Sequence, residues 1–495
     1  MLKKTVFLFL LFLNACATTS SQVDDITTSL YDTYETYKEP SLDKRRIKHR
    51  QVQALIGRLK NDSRFTIKNV GRSIEGRALT LVSIGNGPTD VFLWSQMHGN
   101  EPTATQAIFD IFNFLRSEDF IKEKEAILNS LTIHFLPMLN PDGAEVFKRE
   151  NRLGIDINRD ALRLQSPEGQ TLKRVRDSLE ADFGFNLHDQ STYYNAERTD
   201  KPATISYLAP AYNYEKEINE GRGDAMKVIV FMNDIIQKYA PGQVGRYNDD
   251  FEPRAFGDNI QKWGTSTILI ESGGYANDRE KQEIRKLNYV SILSAIYTIA
   301  TENFKEIPLT AYEQIPENDR KLFDVKLIRV TYNLLGNPYI LDIGINQSEV
   351  DKEGNADFWY SSRIVDQGDL STYYGYKTFD AQGYTLVPGK VYPKVINSMS
   401  ELPSNIDELI KEGYTYLRVK NIPKELLNSS LPIHIISEKF EVPEFNLEPG
   451  KNPTFLLQKE GVYEYLVMNG FLLDLKEEQI SVTDQWGTKN AMIYR

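Results

Sequence analysis

A single cysteine, Cys16, stands in a chain of 495 residues. No intramolecular disulfide can form, and no cysteine-based zinc site can be built. Histidine is scarce as well, with five in the whole chain, so a bound metal would have to be held by these few imidazoles and by carboxylates. A basic excess is also missing: the formal net charge is −11. That argues against a nucleic-acid partner, which calls for a basic face. Internal repeats and low-complexity tracts are absent. What is present is a globular composition, 41% apolar and 26% charged, in a chain long enough for two or three domains at roughly 100–200 residues each.

The N-terminus accounts for the lone cysteine. Lys3 and Lys4 precede an apolar run from Val6 to Leu13, far short of the ~20 residues a membrane-spanning helix needs. The run therefore reads as a secretory signal. It ends in Leu13-Asn14-Ala15-Cys16, which resembles the bacterial lipobox, where cleavage frees the cysteine for lipid attachment. The resemblance implies lipidation at Cys16 and a cell-envelope location, anchored to a bacterial membrane through the N-terminal lipid. The expected domains are a signal peptide over 1–15, a tether over 16–45, a first domain over 46–305 and a second over 306–495.

From about 45 to 300, short bounded apolar runs alternate with amphipathic stretches. The runs at 91–94, 131–136, 183–187 and 267–270 suit strands buried on both faces. Helical patterns lie between them, at about 102–116, 168–180, 215–239 and 278–302. Such alternation predicts an α/β domain with a mixed, largely parallel sheet and helices on both faces. After Pro308 the segments become short and β-rich, separated by Gly, Pro and Asn turns, so the second domain is expected to be a β-rich, sandwich-like accessory domain.

Four polar motifs follow directly on four of these strands: His98-Gly99-Asn100-Glu101, Asn140-Pro141-Asp142-Gly143, His188, and Glu271. In open α/β sheets ligands bind at the carboxyl ends of the strands, so residues this far apart in sequence can converge on one rim. Two histidines and one carboxylate form the ligand set of a catalytic zinc with an open fourth position. Glu271 then supplies a carboxylate that no ligand position requires, free to take a proton from the attacking water. The dense segment from Arg149 to Arg159 offers planar cations that can clasp a carboxylate or offset an oxyanion. His134, His49 and His434 are left out of the metal set.

These residues resemble the zinc carboxypeptidases of the carboxypeptidase A and B type, over about 46–303. His98-x-x-Glu101 with His188 is similar to that family's zinc triad, the stretch Arg149-x-Asn151-x-x-Gly154-x-Asp156-x-Asn158-Arg159 to its substrate-binding segment, and Glu271 in Ile270-Glu271-Ser272-Gly273 to its catalytic glutamate. The resemblance implies one zinc ion per chain on His98, Glu101 and His188, with Glu271 and Arg149 catalytic. It implies that Asn158 and Arg159 hold the terminal carboxylate of a peptide substrate, and that Tyr247 is the nearest counterpart of the family's mobile tyrosine. The implied activity is hydrolysis of C-terminal peptide bonds. The same site also suits a murein-peptide amidase or a small-substrate deacylase, and a catalytically inert lipid-tethered binding protein is the alternative of another class. The sequence departs from the family around the third ligand, where Asn186-Leu187-His188-Asp189-Gln190 stands, and this departure is expected to alter how the imidazole is oriented.

The C-terminal part carries a fainter resemblance. Asp342-Ile343-Gly344-Ile345, Gly368-Asp369-Leu370-Ser371 and Val387-Pro388-Gly389-Lys390 are similar to the small β-sandwich that flanks the barrel in amidohydrolases. The His pair expected after that Pro-Gly is absent, so this half is read as non-catalytic.

Overall fold

The computed structural model describes residues 26–477, 480 and 489–495. Cys16 and the signal-like run lie outside the described residues. The chain divides into two compact units, Met1–Glu197 with Lys201–Asp319, and Arg198–Asp200 with Arg320–Arg495. The border falls later than 305–306 because the short helical turn Leu309–Gln314 and the residue after it contribute Tyr312 and Ile315 to the first unit's core.

In the first unit the strands are β1 (Phe65–Arg72), β2 (Ala78–Gly85), β3 (Thr89–Ser95), β4 (Leu131–Leu136), β5 (Phe183–Asp189), β6 (Asn195–Ala196), β7 (Ile205–Leu208), β8 (Val244–Arg246), β9 (Ser266–Ser272) and β10 (Asn318–Asp319). Eight of them form one sheet in the order β1-β2-β4-β3-β5-β9-β7-β8, and β6 pairs with β10 apart from it. The centre is parallel, with β4, β3, β5 and β9 in register. Its neighbours β2 and β7 run antiparallel to it.

Alternation along β3 explains why its run from Val91 to Trp94 is apolar throughout. Val91 and Leu93 enter the larger core with the helices Thr103–Arg116, Glu220–Tyr239 and Gln282–Ala300. Phe92 and Trp94 point the other way, into a second core shared with the helices Pro167–Leu179 and Phe256–Lys262. A strand covered on both faces cannot alternate with polar residues. The chemistry is therefore pushed to the strand ends.

The segment expected to be a tether is, from residue 26 onward, part of the fold. Ile26, Leu30, Tyr34, Tyr37, Leu42 and Ile47 are buried in the larger core. The polar anchor is Asp110, which accepts from Arg285 Nε at 2.7 Å, from the Glu39 backbone N–H at 2.7 Å and from Tyr34 Oη at 3.1 Å. Arg285 in turn donates to the carbonyls of Leu42 and Glu39. Both charged side chains are fully buried, and breaking such a pair costs about 3–5 kcal/mol. Ile26, Leu30, Tyr34 and Tyr37 recur at helical spacing, an apolar stripe that the expectation of a tether overlooks.

The second unit is β-rich, as expected. An eight-stranded and a five-stranded sheet make it up. Phe455 and Leu457 enter one core and Leu456 another, so this strand too is covered on both faces. Three neighbours in the smaller sheet run parallel, Lys390–Ser398, Tyr414–Asn421 and His434–Ser437. His434 is fully buried, with Nε2 2.8 Å from Thr454 Oγ1 and Nδ1 accepting from the Met492 backbone N–H, and burial pushes its imidazole down to about 3. It is a structural residue, outside any metal set. Among the described residues no helix is long and apolar enough to cross a membrane.

The hairpin joining Leu322–Leu334 to Asn337–Asp351 turns on two residues, Leu335 and Gly336, with φ of 52° and 80°. Two positive φ values define a type I′ turn, where Asn-Gly is favoured. Leu335 is 92% exposed, so its side chain loses no packing when replaced. Leu335→Asn is expected to stabilise the protein by about 1 kcal/mol, read as a higher urea midpoint at unchanged slope.

Candidate metal centre and active site

The parallel strands β3, β5 and β9 bring their carboxyl ends to one rim. His188 and Glu271 stand opposite each other in register across β5 and β9. His98 and Glu101 ride on the loop after β3, where Gln96 takes a φ of 52°. A left-handed backbone at a non-glycine residue is the kind of strain that clusters at functional sites. The loop also needs Gly99, because a Cβ there would lie 2.1 Å from the Gly143 carbonyl carbon. The Asn140-Pro141-Asp142-Gly143 turn thus packs backbone to backbone against the His98 loop.

The same turn fixes Arg149. Its carbonyl accepts from the Gly99 backbone N–H at 3.3 Å and from Asn140 Nδ2 at 3.1 Å. From that anchorage the guanidinium reaches the rim. Arg149 Nη1 donates to Glu101 Oε1 at 3.2 Å and to His98 Nδ1 at 3.1 Å.

His98 Nδ1 lies 2.9 Å from Glu101 Oε1 and 3.1 Å from His188 Nδ1. His188 Nδ1 lies 2.8 Å from Glu101 Oε2. One ligand atom from each residue falls within 4.8 Å of the others, and all three side chains are buried. Ligands of a tetrahedral zinc at ~2.0–2.1 Å stand roughly 3.3 Å apart, so a small outward shift of these atoms would admit the ion. The donor set of these three residues fits zinc.

Asp156 orders the set. Its Oδ1 lies 3.0 Å from His98 Nε2, while Oδ2 accepts from Arg149 Nε at 3.0 Å and Nη2 at 2.9 Å. These partners assign the Nε2–H tautomer to His98 and leave its Nδ1 lone pair for a metal. Asp156→Ala is expected to weaken zinc affinity by about 10- to 100-fold, measured by competition with a chelator.

The electrostatics separate the two glutamates. Burial opposes ionisation of Glu101, but His98 and His188 outweigh it and hold the carboxyl well below the usual range. For Glu271 burial, then the charges of Glu101 and Asp189, push the carboxyl well above the usual range, and its Oε2 has no hydrogen-bond partner. The surroundings thus push the two carboxyls in opposite directions, Glu101 towards its ionised form and Glu271 towards its neutral one. Burial lowers the His188 imidazole, while at His98 Glu101 and Asp156 outweigh burial and raise it.

Asn158 Oδ1 accepts from the Phe256 backbone N–H at 2.8 Å, which leaves Nδ2 as its donor end. Arg159 Nη1 donates to the Asn158 carbonyl at 2.7 Å, and its Nε lies 3.5 Å from Glu252 Oε2. Tyr247 packs edge-on against Tyr194 with centroids 6.1 Å apart. Burial, then the charge of Glu271, pushes the Tyr247 hydroxyl above its usual range. The structure therefore gathers His98, Glu101, His188, Arg149, Glu271 and Tyr247 in one neighbourhood.

His134 stays out of it, with Nε2 2.8 Å from Asp90 Oδ1 and Nδ1 2.8 Å from Ser83 Oγ. His49 opens the helix His49–Leu59, and its Nε2 lies 3.0 Å from the Ala78 carbonyl. The preceding basic stretch is no helix: Arg45 and Arg46 are buried, and Arg46 lies over the Phe147 ring. At the departure around the third ligand, the His188 Nε2 has no hydrogen-bond partner among the described residues, and Asp189 does not reach the imidazole. The Asp189 side chain instead bonds Thr103 and Lys281.

Parts of the chain are similar to known proteins. The chain is 32% identical over 139 residues to carboxypeptidase E of Caenorhabditis elegans, covering 23% of this chain and 29% of that protein. It is 27% identical over 192 residues to carboxypeptidase SOL1 of Arabidopsis thaliana, covering 31% and 38%. The chain thus spans well under half the length of these relatives. Among solved structures, a metallo-carboxypeptidase from Burkholderia cenocepacia aligns over 52% of this chain and 69% of its own, at 16% identity and a TM-score of 0.41. The family whose model matches is zinc carboxypeptidase, over residues 53–218, a stretch that contains His98, Glu101, Arg149, Asn158, Arg159 and His188 and, apart from Arg198–Asp200, belongs to the first unit.

Proposed function

We propose that the first unit is a zinc-dependent metallocarboxypeptidase that hydrolyses the C-terminal peptide bond of a substrate with a free carboxylate. The observation that carries this reading is the convergence of His98, Glu101 and His188 with an unpartnered Glu271 oxygen and the Arg149 guanidinium on one rim. A bound zinc supplies Lewis-acid polarisation of the scissile carbonyl and lowers the pKa of a nearby water. His98, Glu101 and His188 would hold it.

The remaining work falls to the chain's own side chains. Glu271, buried at the rim with one oxygen unpartnered, acts as the ionised carboxylate that takes a proton from the attacking water, and its raised affinity for that proton suits it to hold the proton and return it to the leaving amine. Arg149, braced on Asp156, donates to the oxygen that becomes negative during attack. Asn158 Nδ2 and Arg159 bind the terminal carboxylate and set the bond at the right distance from Glu271. Tyr247 closes over the substrate beside Glu271.

Within the same proposal the chain is a lipoprotein of the cell envelope. Lys3, Lys4, the apolar run and Cys16 support that part. The second unit is an accessory, sandwich-like domain without a catalytic role, as the resemblance around Gly389 and Lys390 suggests.

The two arginines separate in kinetics. A charged hydrogen bond is worth about 1.5–3 kcal/mol, about one to two decades. Arg159→Ala should therefore lower kcat/KM on a free-acid peptide by about ten- to a hundredfold, largely through KM, because the carboxylate is bound alike in ground and transition state. Arg149→Ala should act on kcat, by on the order of a hundredfold or more. Steady-state kinetics of the two purified variants tests this, and the reverse split would contradict the assigned roles.

A further inference from the structure

Lys281 is buried at 6% exposure, and its backbone takes a φ of 51°. Lysine is seldom fully buried unless paired, and a left-handed backbone adds strain at a residue with a side chain. Both features are sustained by where its ammonium ends. Lys281 Nζ donates to Asp189 Oδ2 at 3.0 Å and to the Ser272 carbonyl at 3.0 Å. Asp189 is the residue after His188, and Ser272 the residue after Glu271. One cation therefore spans the ends of β5 and β9, the two strands that carry the third ligand and the unpartnered glutamate.

The surrounding contacts make this span part of a wider brace. Asp189 Oδ2 also accepts from Thr103 Oγ1 at 2.5 Å, from the helix that follows the His98 loop. The Asp189 backbone N–H donates to Glu101 Oε2 at 3.1 Å. Ser272 is held from a second side, because its carbonyl accepts from the Gln190 N–H at 3.0 Å and its hydroxyl from Asn288 Nδ2 at 2.9 Å. Among these partners of Ser272, Lys281 is the charged one. Glu271 itself has an oxygen with no partner, so its side chain is aimed chiefly by the backbone that bears it.

We infer that Lys281 is a positioning residue that sets the aim of Glu271 by holding the Ser272 carbonyl while Asp189 neutralises its charge. This rests on the carboxypeptidase reading above and deepens it. Asp189 is then the counter-ion that lets a lysine be buried beside the rim, which accounts for the departure from the family's pattern after the third ligand.

The test uses the full mature chain loaded with zinc and three variants, Lys281→Met, Lys281→Arg and the double variant Asp189→Asn with Lys281→Met. Lys281→Met should lower kcat on a free-acid peptide by about ten- to a hundredfold, the worth of one charged hydrogen bond, with KM within about twofold. Zinc content should stay at one per chain, and zinc affinity by chelator competition should hold. Lys281→Arg, which retains a cation with several donors, should recover most of kcat. The double variant separates positioning from plain stability: removing the orphaned carboxylate should restore Tm while kcat stays low, because the Ser272 carbonyl still lacks the Lys281 ammonium and keeps only the Gln190 N–H. Recovery of kcat together with Tm in the double variant would overturn the inference and leave Lys281 a structural counter-ion. Loss of zinc in Lys281→Met, or a rise in KM that accounts for the whole effect, would overturn it too. A zinc-loaded wild type inert on peptides would instead overturn the functional reading beneath it.

Discussion

Glu271→Gln is expected to lower kcat by about a hundred- to ten-thousandfold, the usual worth of a positioned general acid–base group, with zinc retained at one per chain. The substitution keeps the shape of the side chain and removes its basicity. Glu271 is no member of the ligand set, so the metal should not notice the change. Stability should move the other way from activity. Burial and the neighbouring charges of Glu101 and Asp189 push the Glu271 carboxyl well above its usual range, which means its ionised form is disfavoured in the folded state. A group with a raised folded pKa withdraws stability as pH climbs above its unfolded value, so the metal-free variant should have the higher Tm at neutral pH. Steady-state kinetics, metal content and thermal melts of the same preparation check all three. Activity within tenfold of wild type would remove Glu271 from the chemistry.

His188→Ala should have a different signature, loss of the metal and of activity together. Structural zinc sites bind with apparent free energies of about 10–16 kcal/mol, and a single ligand's share of that corresponds to on the order of a thousandfold in affinity. His188 is buried at 2% exposure, and its Nδ1 faces both Glu101 and His98. Truncation therefore leaves a hole inside the ligand set that no neighbouring side chain can fill. Elemental analysis after dialysis should find close to one zinc in wild type and close to none in the variant. Excess zinc in the assay should restore little activity, because the geometry of the set is lost along with its affinity. Full zinc retention would show that His188 is a core histidine.

The parts of this site that the sequence made legible are those bound to strand ends. Val91 to Trp94 is uniformly apolar and Phe183 to Leu187 is broken only by Asn186, because both faces of the sheet are covered, so the polar residues that follow each run mark the rim. His98, His188 and Glu271 stand out for that reason. The antiparallel flank was less legible. β1 and β2 run outward from the parallel centre as a hairpin, and β7 enters antiparallel to β9, reversals that leave no trace in composition.

Side-chain networks between distant segments were not legible at all. Asp156 was visible as one acid in a charged stretch, but its double grip on His98 and Arg149 depends on how the loop folds back. Lys281 and Asp189 are far apart in sequence and meet only because β5 and β9 are neighbours. Residues 26–47 show the same limit. Their anchors, Tyr34, Glu39 and Leu42, find Asp110 and Arg285 across the chain, and only the helical spacing of Ile26, Leu30, Tyr34 and Tyr37 was there to be read beforehand.

The most direct measurement of the central claim compares one peptide with its C-terminally amidated twin on the zinc-loaded wild-type protein, following the products by mass spectrometry. A neutral amide cannot accept the charge-assisted pair that Asn158 and Arg159 offer a carboxylate. The account predicts release of the C-terminal residue from the free acid and at least tenfold slower cleavage of the amide, with Arg159→Ala narrowing that gap. Equal cleavage of the two by wild type, or cuts within the chain, would contradict it.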